Sequence, residues 1–188
     1  MSGPLFRDVN WHSAQDQIRM RALAEVDALD ETTLTGPSLA GTLENIAQKN
    51  SFRVPTLNDT AKRGVRREVE RRIDDYGRNT LVRVPVIDVH IPFDGNGDAF
   101  RISPSTSLLL SFPADVTYNE LIVTVQDGDR TQQEIDDAIN QIKQNLDHLR
   151  RDVAGFDLVG ELNGAAQARV AKITAAGERD SKLDFPIT

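Results

Sequence analysis

Asp88 and His90 stand two apart in the run Val86-Ile87-Asp88-Val89-His90-Ile91, the spacing that puts both side chains on one face of a β-strand. An aspartate beside an imidazole can orient it for general-base work or for metal binding. General-base chemistry needs a nucleophile in addition, and a metal centre needs further ligands; a hydrolase or metal site here would draw on Asp98 as well. The other histidines, His12 and His148, fall in separate predicted helices. The simpler reading is a hydrogen-bonded pair on the less buried face of a sheet, and no catalytic residue is assigned.

Three further clusters carry chemistry-bearing groups. Asp94-Gly95-Asn96-Gly97-Asp98 has the opening spacing of a calcium-binding loop, but Ala99 stands where the sixth position requires glycine and Ser105 where the twelfth requires glutamate. A tight hairpin turn is the expectation, with no metal and no cofactor. Arg101, Ser103, Ser105 and Thr106 gather hydroxyls beside a cation, the makings of an anion-holding loop. Lys62, Arg63, Arg66, Arg67, Arg71 and Arg72 form a basic stretch able to meet phosphates, tempered by Glu68 and Glu70 and without interleaved aromatics. A solvated charged face is the plainer account of it. No GxGxxG, phosphate loop, GxSxG or HExxH occurs, and no Glu-x-Lys of a restriction-nuclease centre. Cysteine is absent, which removes disulfides, thiolate catalysis and cysteine-held zinc.

The elements that must position these residues centre on 80–126, the part where apolar residues alternate at period two between turn signals. Ile87, Val89, Ile91 and Phe93 share one strand face; Val82, Val84, Val86, Asp88 and His90 share the other. Pro85 and Pro92 cannot donate to a ladder, so the spacing predicts an edge strand or bulges. Leu108–Phe112 and Leu121–Gln126 read as further strands, and a meander is the simplest connection. The stretch 61–73 is ambiguous: Val65, Val69 and Ile73 recur every four residues, which favours a helix, yet they also share one strand face.

Helices are predicted at 13–50, one from Ser13 to Leu29 and a shorter one from about Pro37 to Asn50, separated by the Asp30–Pro37 tract. A long helix over Thr131–Ala154 opens on a Thr131/Glu134 capping box and carries Ile135, Ile139, Ile142, Leu146, Leu149, Val153 and Phe156 at alternating spacings of four and three. An alanine-rich helix to Ala176 follows, so 131–178 predicts an antiparallel hairpin. Ile139, Ile142, Leu146, Leu149 and Val153 are the expected interface should a homodimer form through these helices.

At 188 residues, 39% hydrophobic and 27% charged, the chain suits one α+β domain over 1–188: a small, mostly antiparallel sheet covered by helices. The net charge of −7 comes entirely from residues beyond 78, and it argues against strong general affinity for nucleic acid. No apolar run exceeds three residues, as at Leu108–Leu110, so no membrane span is expected, and no basic-then-apolar leader opens the chain; a cytoplasmic, bacterial protein is the default.

The segment Val89-His-Ile-Pro-Phe-Asp-Gly-Asn-Gly-Asp-Ala-Phe-Arg-Ile-Ser-Pro-Ser-Thr106, with the Glu120-Leu-Ile-Val strand and the closing Phe185-Pro186-Ile187, resembles the N-terminal region of an uncharacterised bacterial two-domain family. That family carries an "IPFxG…LFRxxPS" motif and a terminal "GFPI", and its second domain resembles restriction endonucleases. The likeness spans about residues 15–187, with Asp184 where the family usually has glycine. It implies a non-catalytic recognition or regulatory module acting beside a nuclease-like domain, in restriction or defence against phage. It assigns no catalytic residue. A nucleic-acid-contacting module using 62–72 is the alternative.

Overall fold

The computed structural model describes residues 5–75, 78–108 and 114–180. In chain order the elements are β1 (Val9–Asn10), α1 (Trp11–Asp27), α2 (Glu31–Thr35), α3 (Leu39–Asn50), β2 (Thr56–Leu57), β3 (Arg63–Asp75), β4 (Arg78–Asp94), β5 (Ile102–Ser103), β6 (Ala114–Val116), β7 (Glu120–Gln126), α4 (Thr131–Ala154) and α5 (Leu158–Asp180). They part into two compact units, one of residues 1–12 and 52–153, the other of 13–51 and 154–188.

The first unit holds the sheet. β4 is its centre: β3 and β2 lie along one side, β7 along the other, and β6 beyond β7, all antiparallel. Val89, Ile91 and Phe93 of β4 face the core with Leu121, Val123 and Val125 of β7, as their parity requires. Phe100 meets the edge of Phe93 at a centroid distance of 5.0 Å and is fully buried. α4 covers this face; its Ile135 shares a cavity wall with Ile87 and Val89, and Ile139, Ile142, Leu146 and Leu149 are buried. Of the residues expected at an interface, those four are thus buried within the chain itself. Val153 is half-buried.

Residues 63–75 are a strand, not the helix that their four-residue recurrence favours. A repeat of four is even, so Val65, Val69 and Ile73 satisfy both periods. The unbroken ladder from Arg63↔His90 to Asp75↔Arg78 settles the matter by pairing every residue with β4. Local propensity yields to tertiary pairing here.

β4 is central despite its two prolines, against the edge or bulge they suggested. Pro92 accepts from Asn58 N, so its nitrogen points to the β2–β3 side, in the gap between the last β3 pair at His90 and the first β2 pair at Phe93. Pro85 accepts from Asp127 N, so its nitrogen points to the β7 side, one step past the end of that ladder at Val86. Each missing donor falls where no partner strand awaits it.

Asp94–Gly97 does turn the chain, with Gly95 at φ +121°, where a Cβ would lie only 2.9 Å from Pro55 Cα. It does not close a hairpin. Asn96 caps a 3-10 turn over Gly97–Arg101, and the chain continues into β5, which pairs in parallel with β1. Most of the expected Leu108–Phe112 strand lies outside the described residues; Leu108 itself is fixed by Asn145, whose fully buried amide accepts from Leu108 N at 2.8 Å and donates to its carbonyl at 3.2 Å. Thr131 opens α4, but its hydroxyl ties back to Gln126 and Gly128 instead of accepting from Glu134, whose amide donates to Arg130 O.

The second unit is helical. The Asp30–Thr35 tract, read as a terminator, forms the short helix α2, because Asp30 accepts from Thr33 N and caps it. Ile18, Ala22 and Val26 of α1, Leu34 of α2, Leu43 of α3, and Leu162 and Ala166 of α5 supply buried side chains. α5 packs on α2 and α3, and the small Ala166 suits close helix approach. Arg19 grips both oxygens of Glu161 at 2.7 and 2.9 Å and lies over the Phe156 ring, joining α1 to the start of α5. Arg169 donates to Val26 O at 2.6 Å, satisfying a carbonyl in the last turn of α1. Helices and an antiparallel sheet thus make an α+β fold with two long helices at its C-terminal end.

Candidate functional site

The face of the sheet opposite the α4 side carries the polar residues singled out above. Register puts Arg63, Val65 and Arg67 of β3 opposite His90, Asp88 and Val86 of β4, which in turn face Ile122, Thr124 and Gln126 of β7. Strand alternation then gathers Arg63, Arg67, Asp88, His90, Glu120 and Thr124 on one surface. Two ion clusters result. Arg67 donates to both oxygens of Asp88, and Thr124 Oγ1 donates to Asp88 Oδ1 at 2.7 Å. Nearer β2, His90 Nδ1 lies 3.0 Å from Glu120 Oε2, and Arg63 Nη2 donates to both Glu120 oxygens at 3.1 and 3.2 Å.

These contacts set the charges. Arg67, and then Thr124, hold the Asp88 carboxyl below its ordinary range against the opposing effect of burial. Glu120 is lowered chiefly by His90 and secondly by Arg63. The Asp115 carboxylate on β6 adds to the field on Arg67, and one of its oxygens is buried without a hydrogen-bond partner among the described residues. Sequence reasoning missed Glu120, Asp115 and Thr124, which enter only through the pairing of β4, β7 and β6.

Asp88 and His90 thus do share a face, but each is engaged with a neighbour from another strand, Asp88 with an arginine and His90 with a glutamate. A general base must reach a substrate proton, and the Asp88 oxygens are occupied by Arg67 and Thr124. Asp98 lines a separate cavity of about 480 Å³ with Asp94, Arg101, Tyr118 and Asn119, to which neither Asp88 nor His90 contributes. Among the described residues no group of three or more His, Asp or Glu is placed to hold a metal ion.

Of the basic stretch, Arg63, Arg66 and Arg67 are matched by Glu120, Asp127 and Asp88 across strands. Lys62, Arg71 and Arg72 are exposed. The serine loop has found an anion within the chain: Ser105 N and Oγ donate to the two oxygens of Asp152 on α4, at 2.8 and 2.5 Å. Arg101 stands 3.9 Å from Asp8, Ser103 pairs with Asn10 in the β1–β5 ladder, and Thr106 is exposed.

The feature the sequence reading did not anticipate is a two-stranded ribbon. β3 and β4 continue pairing from Glu68↔Pro85 to Asp75↔Arg78, eight residue pairs beyond the last β7 partner at Val86. At about 3.4 Å per residue it runs roughly 27 Å past the body of the sheet. Leu81 is 61% exposed on it, and Val65 near its base 44%. The signal in the sequence is the even spacing of Val65, Val69 and Ile73, which fits one face of a strand as well as the stripe of a helix.

No family model, curated protein or solved structure matches this chain.

Proposed function

We propose that this chain is a non-catalytic recognition or regulatory module that engages another protein through the β3–β4 ribbon. The observation that carries this reading is the ribbon itself: a paired extension with exposed main-chain edges and exposed Leu81. Exposed strand edges are binding templates, and natural folds leave them so where something docks or guard them with charge. The partner best matched to the family resemblance is a nuclease-like domain, in a bacterial cytoplasm and in restriction or defence. No helix among the described residues is long and apolar enough to cross a membrane.

The test is calorimetric titration of the chain with the separately produced nuclease-like domain of a family two-domain protein. A shortened chain, in which an Asn-Gly turn replaces 69–84, keeps the Arg67–Asp88 pair and removes the extension. Binding by the native chain and none by the shortened one supports the reading; equal binding by both moves the contact elsewhere, and no binding by either refutes it.

Duplex DNA is the second reading. A two-stranded ribbon fits a major groove, and Arg71 and Arg72 are exposed on opposite faces of this one. Three of the six cations in the basic stretch are already matched by carboxylates. Binding would then be weak and lost by about 200 mM salt, whereas a tight complex persisting there overturns a purely electrostatic contact.

A further inference from the structure

Two tight turns face each other across the cavity of about 480 Å³, a volume in the range of small-molecule sites. One is Asp94–Asp98 at the end of β4; the other is Thr117–Asn119, between β6 and β7. Phe93 and Val116 supply an apolar floor.

Both turns are held from within the chain. Asn96 N donates to Arg53 O at 2.9 Å, and Asp98 N donates to Asn96 Oδ1 at 2.9 Å. Thr117 N and Oγ1 both donate to Glu120 O at 2.9 Å. Phe93 N donates to Asn119 O at 3.0 Å, which ties the second turn to the strand that leads into the first. Glycine at 97 keeps the floor clear, since an added Cβ would come within 3.3 Å of the Phe93 ring and 3.4 Å of Val116. Walls fixed in this way lose little freedom when a ligand enters.

The side chains on these walls are not spent on the fold. Tyr118 is 98% exposed, so its ring buries nothing within the chain. Asp98 is exposed, and among the described residues its carboxylate has no partner. Asn119 is engaged through its main-chain oxygen, and its side chain is exposed. Arg101 brings guanidinium donors, with Asp8 3.9 Å away. Asp94 differs from these, being paired with Arg53 at 2.8 Å.

This mixture selects the ligand. A bare ammonium suited to Asp98 would meet Arg101 on the same wall, and a bare anion suited to Arg101 would meet Asp98. A neutral ring bearing several hydroxyls satisfies both, because each hydroxyl is donor and acceptor at once. One hydroxyl donates to the Asp98 carboxylate, while others accept from the Asn119 amide and from Arg101. The C–H face of a pyranose then lies on the electron-rich face of the Tyr118 ring. We propose that this cavity binds a neutral pyranose sugar, with Tyr118 as the stacking platform and Asp98 as the principal hydroxyl acceptor. The site lies apart from the β3–β4 ribbon and does not depend on the function proposed for it.

The test is an amide-shift titration of the full, isotope-labelled chain with four methyl glycosides: glucoside, galactoside, mannoside and N-acetylglucosaminide. At least one should move the amides of Gly97, Asp98, Tyr118 and Asn119, with roughly millimolar affinity, and leave those of Leu81–Val84 in place. Tyr118→Ala and Asp98→Ala should each weaken binding about tenfold, whereas Tyr118→Phe, which keeps the ring, should stay within about twofold of the native chain. Both side chains are exposed, so the remaining amides should keep their native positions and show that each variant is folded.

No shift with any of the four glycosides would overturn the proposal, and so would undiminished binding by either alanine variant. Larger shifts of the same amides with methylammonium chloride or with inorganic phosphate would overturn it too, by making the cavity a cation or an anion site.

Discussion

Arg67 on β3 reaches diagonally to grip both carboxylate oxygens of Asp88 on β4, two residues along from its own partner Val86. With Thr124 donating from β7, this carboxylate fastens three strands on the polar face of the sheet.

The pair gives the fold an acid sensitivity. Asp88 is lower in the folded chain than its ordinary value, so its contribution is fully present above that value and is lost as pH falls through the folded one. Stability should therefore decline from about pH 4 downwards. Asp88→Asn should cost about 1 kcal/mol at neutral pH, discounted because Arg67 is 46% exposed. Urea melts of both proteins across pH 2–7 should converge at the acid end; curves separated by a constant gap would contradict the assignment.

Calcium should not bind at Asp94–Asp98. Asn96 Oδ1 already accepts from Asp98 N at 2.9 Å, and Asp94 pairs with Arg53 at 2.8 Å. Calorimetric titration with calcium chloride should give no binding heat, and micromolar affinity would show that the turn rearranges into a ligand set.

Asn145 should be worth more than its size suggests. Its fully buried amide makes hydrogen bonds to both main-chain groups of Leu108. Asn145→Ala should destabilise by roughly 2 kcal/mol, since it strands those groups along with the cavity it opens. Asn145→Leu should not rescue it; recovery of native stability in the leucine variant would mean that volume alone matters.

The α4 seam should behave as core. Leu149 is fully buried and Leu146 nearly so. Leu149→Ala should lose about 2–5 kcal/mol. Light scattering should give the native chain and this variant the same mass, and a dissociating dimer would return the seam to an interface.

Much of the architecture is written in local patterns. The four-three spacing from Ile135 to Val153 fixes α4, because only a helix puts those residues on one stripe. Val89, Ile91 and Phe93 give the buried face of β4 by simple alternation. The serine loop and the basic stretch are legible as charged or hydroxyl-rich segments, but not what satisfies them. Asp152 lies 47 residues from Ser105, and Glu120 lies 57 from Arg63. Composition carries no signal for such pairs, since they depend on register between elements distant in sequence. The same holds for 63–75: its recurrence of four is compatible with helix and strand alike, and only the β4 ladder decides. Pro85 and Pro92 in isolation mark an edge. In the folded sheet their missing donors meet the gaps where β7 stops and where β3 gives way to β2, because neighbouring strand lengths, which no local pattern encodes, determine where a donor is required.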